Sequence, residues 1–186
     1  MARARKSSQQ KPLALELLWN DHRTVEALFE QYEAQKEDED DAREQTAERI
    51  CNELTVHAQV EEELFYPWLR QNLGEEDMEL VEEADVEHAT LKDLVAQIQS
   101  GDDTDAECDA KVKVLSEYVK HHVKEEENEI FGKIADKAEE LDELGQDMYA
   151  RKAELMEEMG LAQPEGDASS KAGRSGESGS ARREPH

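Results

Sequence analysis

The sequence predicts an all-α fold, an up-down-up-down four-helix bundle followed by a short C-terminal helix and a disordered tail. Three observations predict it. Residues 12–160 are dense in Ala, Leu, Glu, Lys and Gln, the strong helix formers. Apolar residues recur there at three- and four-residue spacing, with no run of alternating β-branched residues. The breaks between periodic segments are short, which makes successive helices antiparallel neighbours.

The first helix starts at Pro12, whose fixed φ suits the first helical position, and runs to Gln35 with Leu18, Val25, Phe29 and Tyr32 on one face. Glu37 to Asp41 form the turn. The second helix, Asp41 to Gln71, aligns Ile50, Leu54, Leu64, Phe65 and Trp68 and stops near Gly74. The third, Glu75 to Ser100, aligns Leu80, Ala84, Leu91, Val95 and Ile98. After a turn at Gly101 to Thr104, Thr104 or Asp105 caps a fourth helix that runs to Lys137 and aligns Val112, Leu115, Val119, Ile130 and Ile134. A fifth, Leu141 to Met159, ends at Gly160 and carries Leu144, Met148 and Met156, with packing on the bundle favoured over a partner. The chain thus divides into a flexible basic N-terminus (1–11), the bundle (12–160) and a tail rich in Gly, Ser and Arg (161–186) that lacks the apolar surface to fold.

Charge narrows the function. Lys and Arg number 22 against 48 Asp and Glu, a net charge of −26. A body this acidic lacks the basic face that nucleic acid or anionic lipid requires. No segment reads as a membrane span or a signal peptide. Cys51 and Cys108 are too few for a disulfide framework and read as reduced thiols of a cytoplasmic protein.

Each apolar stripe has a gap, and a histidine fills each gap. His22 lies between Leu18 and Val25, His57 between Leu54 and Leu64, His88 between Ala84 and Leu91, and His122 between Val119 and Ile130. Glu61 and Glu126 come four residues after His57 and His122 and share their faces. Counted from the turns, the four histidines lie at one level of the bundle, within about a helical turn. One such histidine is ordinarily a hydrogen-bonded core residue. Four independently placed histidines would all face inward with a chance of roughly 3%, given an apolar face of three positions in seven. Two buried carboxylates each cost several kcal/mol unless a positive charge compensates them, and no Lys or Arg occupies these stripes at that level. A metal centre supplies the charge. Six donors exceed the four that zinc takes but suit two metals, each with two histidines, bridged by both glutamates. Iron ranks first, manganese second and zinc lower. The pattern is not the Glu-x-x-His type of ferritin-like bundles.

Asp-His-Arg at 21–23, the segment His57 to Pro67, Glu87-His88 and the segment His121 to Glu127 together resemble the hemerythrin-like, or HHE cation-binding, family over Leu13 to Lys137. The resemblance implies a non-haem di-iron site in a four-helix bundle, with His22 and His57 on one iron, His88 and His122 on the other, and Glu61 and Glu126 bridging. Oxygen carriers of that family bind O2 at an open position of one iron. This sequence departs from them: Ala84 stands where they have a further histidine, the bridging residue is Glu126 where they have Asp one place later, and Gly132 replaces a common Pro. The missing histidine favours reactivity or sensing over reversible carriage.

A rotation of about 100° about the helix would let His121 and Glu125 replace His122 and Glu126; the stripe favours His122. Glu62, Glu125 and Tyr118 are candidates for orienting imidazole N–H groups, although the two glutamates read better as solvated surface residues. Trp19, Phe65 and Trp68 read as packing around the site. The functional expectation is a di-iron protein that binds or senses O2, NO or peroxide. Alternatives are an enzyme that handles peroxide or oxidises and stores iron, and a structural or partner-binding bundle with a vestigial site. An iron-donor role in cofactor repair is disfavoured because Met1 to Pro12 contains no cysteine.

Overall fold

The computed structural model describes residues 11–35, 40–101 and 105–161. Helix α1 spans Leu13–Ala34, α2 Asp40–Val60 and α3 Tyr66–Asn72. Helix α4 spans Met78–Gln99, α5 Asp105–Glu125, α6 Phe131–Ile134 and α7 Ala138–Glu158. No strand occurs among the described residues. Helix α1 packs on α2 and α5, and α4 packs on α2 and α5, which closes an antiparallel four-membered ring as the short turns predict. Helix α7 lies outside that ring, against α1 and α2. The expected turns at 37–41 and 101–104, the cap at Thr104 or Asp105, and both chain ends fall wholly or largely outside the described residues.

Two elements expected to be continuous are interrupted. Glu61–Phe65 and Glu126–Ile130 are π-helical turns that join α2 to α3 and α5 to α6. Each begins at one of the inward glutamates, and its closing bond reaches back five residues, from Tyr66 N–H to Glu61 C=O and from Phe131 N–H to Glu126 C=O. Pro67, which has no N–H to donate, comes just after the first turn; Gly132 holds the matching place after the second. The extra residue rotates the succeeding α3, so Phe65, Tyr66 and Leu69 are buried while Leu64 and Trp68 are only partly covered.

Packing brings smaller corrections. Pro12 flanks the helix rather than opening it, and the free Leu13 N–H bonds Asp142 of α7 at 2.8 Å. Glu75–Asp77 is a 3-10 turn ahead of α4, and Val81 rather than Leu80 is fully buried. Trp19 is exposed, stacked under Lys11 and Arg23, and packs around nothing in the core.

The buried apolar residues form two clusters. One gathers Leu18, Val60, Phe65, Ala84, Ile130 and the α7 residues Leu141, Met148 and Leu155. The other gathers Val25, Ile50, Leu54, Leu91, Leu115 and Val119. Along every bundle helix, the predicted histidine lies between them.

Candidate metal centre

The polar layer between the clusters consists of His22, His57, Glu61, His88, His122 and Glu126, each at most 6% exposed. One ligand atom from each of His22, His57, Glu61 and Glu126 lies within 4.8 Å of the others, and the same holds for Glu61, His88 and His122. Glu61 therefore belongs to both groups. Its Oε2 is 3.2 Å from His57 Nε2 and 3.2 Å from His88 Nε2, while Glu126 Oε2 is 3.1 Å from His22 Nε2. His88 Nε2 and His122 Nε2 face each other at 3.2 Å. His121 stands on the surface, its side chain 57% exposed, between Glu87 and Glu125.

Each inward histidine turns Nε2 to the centre and Nδ1 to a carboxylate. His22 Nδ1 is 2.8 Å from Glu127, His88 Nδ1 3.3 Å from Glu62 and His122 Nδ1 2.9 Å from Glu87. His57 Nδ1 is 3.5 Å from Asp21. In a neutral imidazole a carboxylate there takes the Nδ1–H and leaves the Nε2 lone pair to a metal, the usual arrangement behind a metal-ligating histidine. Of these four carboxylates, only Glu62 is foreshadowed as an orienting partner in the sequence; Glu125 serves His121 instead, and Tyr118 is exposed. The missed residues carry a signal. Asp21, Glu87 and Glu127, like Glu62, each adjoin an inward donor in sequence but serve a histidine of another helix. One residue along a helix is about 100° round it, which is where the neighbouring helix stands. Tyr66 is a further residue that the sequence pattern does not reveal. It is fully buried, and its Oη is within hydrogen-bond distance of His88 Nε2, at 3.0 Å.

The electrostatics of the layer are those of a site short of positive charge. Burial, then the charge of Glu126, pushes Glu61 well above the usual carboxyl range. Burial acts the same way on Glu126, but His22, whose Nε2 is 3.1 Å away, overcomes it and holds Glu126 low. His22 is disfavoured as a cation by burial, yet Glu126 and Glu127 raise it to about 9. Burial and the neighbouring His122 and His57 drop His88 to about 2, and burial also lowers His57. Both are neutral, as a ligand must be.

Both oxygens of Glu61 and of Glu126, His22 Nε2 and both ring nitrogens of His57 are buried without a hydrogen-bond partner. Such orphaned groups each cost about 1–3 kcal/mol, and nitrogen and carboxylate donors that converge this way fit a cation. A cavity of about 10 Å³ beside the four histidines is walled by Val25, Leu54, Ala58, Leu91, Val119 and Val123. Cys51 and Cys108 are unbridged, and burial lifts the Cys51 thiol to about 12, which leaves it inert. No described helix is long and apolar enough to cross a membrane.

Comparison with known proteins agrees with this layer. A DNA nickase of Nostoc sp. is 29% identical over 142 residues, which is 75% of this chain and 39% of the nickase. The chain therefore spans well under half of that relative. No solved structure gives a significant match. The model of the hemerythrin HHE cation-binding domain matches residues 13–134, a stretch that includes all six inward donors and all four carboxylates behind the histidines. On that match the chain belongs to the hemerythrin HHE cation-binding domain family.

Proposed function

We propose that the chain is a non-haem di-iron protein that binds or senses O2 or a related small oxidant, NO or peroxide. In this reading His22, His57, His88 and His122 would be the terminal ligands, and Glu61 and Glu126 would be shared between the two ions. The observation that carries it is a convergence of donors: six side chains at one buried level, of which His22, His57, Glu61 and Glu126 hold buried nitrogens or oxygens without a hydrogen-bond partner. Iron, when bound, supplies the redox-active centre at which the small oxidant reacts.

The protein's own residues do the rest. Glu62, Glu87 and Glu127 hold the imidazole rings of His88, His122 and His22 by Nδ1, and Asp21 faces Nδ1 of His57 at 3.5 Å, an arrangement that keeps Nε2 inward. The Tyr66 phenol, which burial and the charges of Glu61 and Glu126 keep protonated, offers a hydrogen bond at the His88 side. The apolar wall excludes bulk water, and a cavity of about 10 Å³ is at the lower limit for a single water.

Metal content of anaerobically purified protein, then absorption spectra before and after air, NO and peroxide, tests the reading. Two irons per chain and a spectral change with one of these are expected. Zinc, or no metal after iron is offered under reducing conditions, would refute it and move the function to a structural or partner-binding bundle. Multiple turnover of peroxide or of ferrous iron would identify the alternative, an enzyme at the same residues. DNA nicking belongs to the relative; the net charge of −26 supports no nucleic-acid role for this chain.

A further inference from the structure

The carboxylates behind the histidines are held in turn, and their holders come from different parts of the fold. Arg23 of α1 donates to Glu127 at 2.7 Å. Lys92 of α4 donates to both oxygens of Glu62, at 2.6 and 2.8 Å. Glu87 faces His121 of α5 at 3.6 Å. For Asp21 the holder is Lys152 of α7, whose Nζ donates to Oδ1 while Oδ2 faces His57 Nδ1. Helix α7 lies wholly beyond the residues that the family model matches.

The Lys152–Asp21 pair is shielded, with side chains 18% and 9% exposed, so its geometry is held more firmly than that of a solvated surface pair. Asp21 Oδ2 and His57 Nδ1 face each other at 3.5 Å, and neither has a hydrogen-bond partner among the described residues. The rotation of the Asp21 carboxylate is thus set between Lys152 and His57. Helix α7 is seated independently of this contact. Asp142 takes the Leu13 N–H, Gly145 lies where any Cβ would strike Leu13 and Ala14, and Leu141, Met148 and Leu155 are buried.

We propose that α7 is a working part of the metal centre: Lys152 is a positioning residue that turns Asp21 toward His57, so the docked helix sets how firmly His57 retains a metal. The inference rests on the metal reading proposed for this site. Its test is the rate at which protein loaded anaerobically with ferrous iron loses metal to excess chelator. K152M is expected to lose metal roughly tenfold faster, the size of effect seen when the partner behind a ligating histidine is removed, and K152R to restore the wild-type rate. D21N should match K152M, and the double variant should be no faster than either. R151M, which breaks the Arg151–Glu63 pair one residue away, should behave as wild type.

A K152M protein that is folded by circular dichroism and keeps its metal as long as wild type overturns the proposal. So does equal acceleration by K152M and R151M, because seating of α7 would then be the whole effect. A readout without metal separates this failure from that of the metal reading. The ¹⁵N shifts of the His57 imidazole in the metal-free chain should move in K152M, and unmoved shifts overturn the proposal. A wild type that takes up no iron refutes the metal reading, and the shifts then decide the linkage alone.

Discussion

Glu61 separates a site held ready for a cation from an ordinary polar core. It is fully buried, neither oxygen has a hydrogen-bond partner, and its carboxyl is pushed well above the usual range by burial and by Glu126. An acid whose pKa rises on folding withdraws stability at every pH above its unfolded value. Replacing it by Met keeps an unbranched side chain and removes both the charge and the orphaned oxygens. Buried ionic groups replaced by apolar ones of similar shape gain about 1–4 kcal/mol, and about 2–3 kcal/mol is reasonable for a carboxylate with no partner of its own. In a chain of 186 residues this raises the melting temperature by roughly 4–12 °C. The same change removes the one residue shared by both donor groups, so iron should stabilise the variant far less than wild type. Thermal unfolding of both proteins by circular dichroism, with iron and with chelator, measures this. The expected order is iron-loaded wild type, then Glu61→Met, then metal-free wild type. A Glu61→Met protein that melts below metal-free wild type would refute the reasoning, because the carboxylate would then be stabilising the core by itself.

Three further outcomes are expected. In the metal-free chain, the His22 charge, raised to about 9, contributes stability that is complete below pH 6.5 and lost as pH rises toward 9, whereas His88, lowered to about 2, contributes stability that is lost as pH falls below 6.5; melting temperature against pH should show both flanks, and His22→Gln should flatten the alkaline one. Iron uptake near neutral pH should release protons into weakly buffered solution, fewer in His22→Gln, because His22 must give up its proton to bind; equal release from both proteins would contradict this. Gly145→Ala should lower the melting temperature despite the better helix propensity of Ala, since its Cβ strikes Leu13 and Ala14 and overpacking costs about 1–3 kcal/mol against a gain of about 1 kcal/mol; a rise would mean that α7 can shift away from α1 without loss.

The bundle is legible in the sequence because its determinants are local. Apolar spacing gives each helix its inward face, and short turns give the antiparallel order. The inward set His22, His57, Glu61, His88, His122 and Glu126 is legible for the same reason, since each interrupts a stripe it shares. The residues that escape such a reading depend on contacts between helices. Asp21 carries no role that spacing alone assigns, and only the packing of α1 on α2 reveals that it faces His57. Tyr66 reads as lying off the stripe, because the extra residue in the turn before it is invisible to a fixed helical period. Lys152 sits 131 residues from Asp21, and no periodicity connects them.

The crossing of carboxylates between helices bears on how the chain acquires its metal during synthesis. His22, His57 and Glu61 are present once α2 and the π-helical turn after it have been made, but Glu127, which steadies His22, and Glu126 arrive only near the end of the bundle, and Lys152 later still. An early hairpin can hold an ion with at most part of its support, so firm retention begins only when the last helices dock. Under the metal reading proposed above, retention would report on stacking: a chain with all its helices formed but wrongly stacked would keep the six donors and lose the carboxylates that steady them.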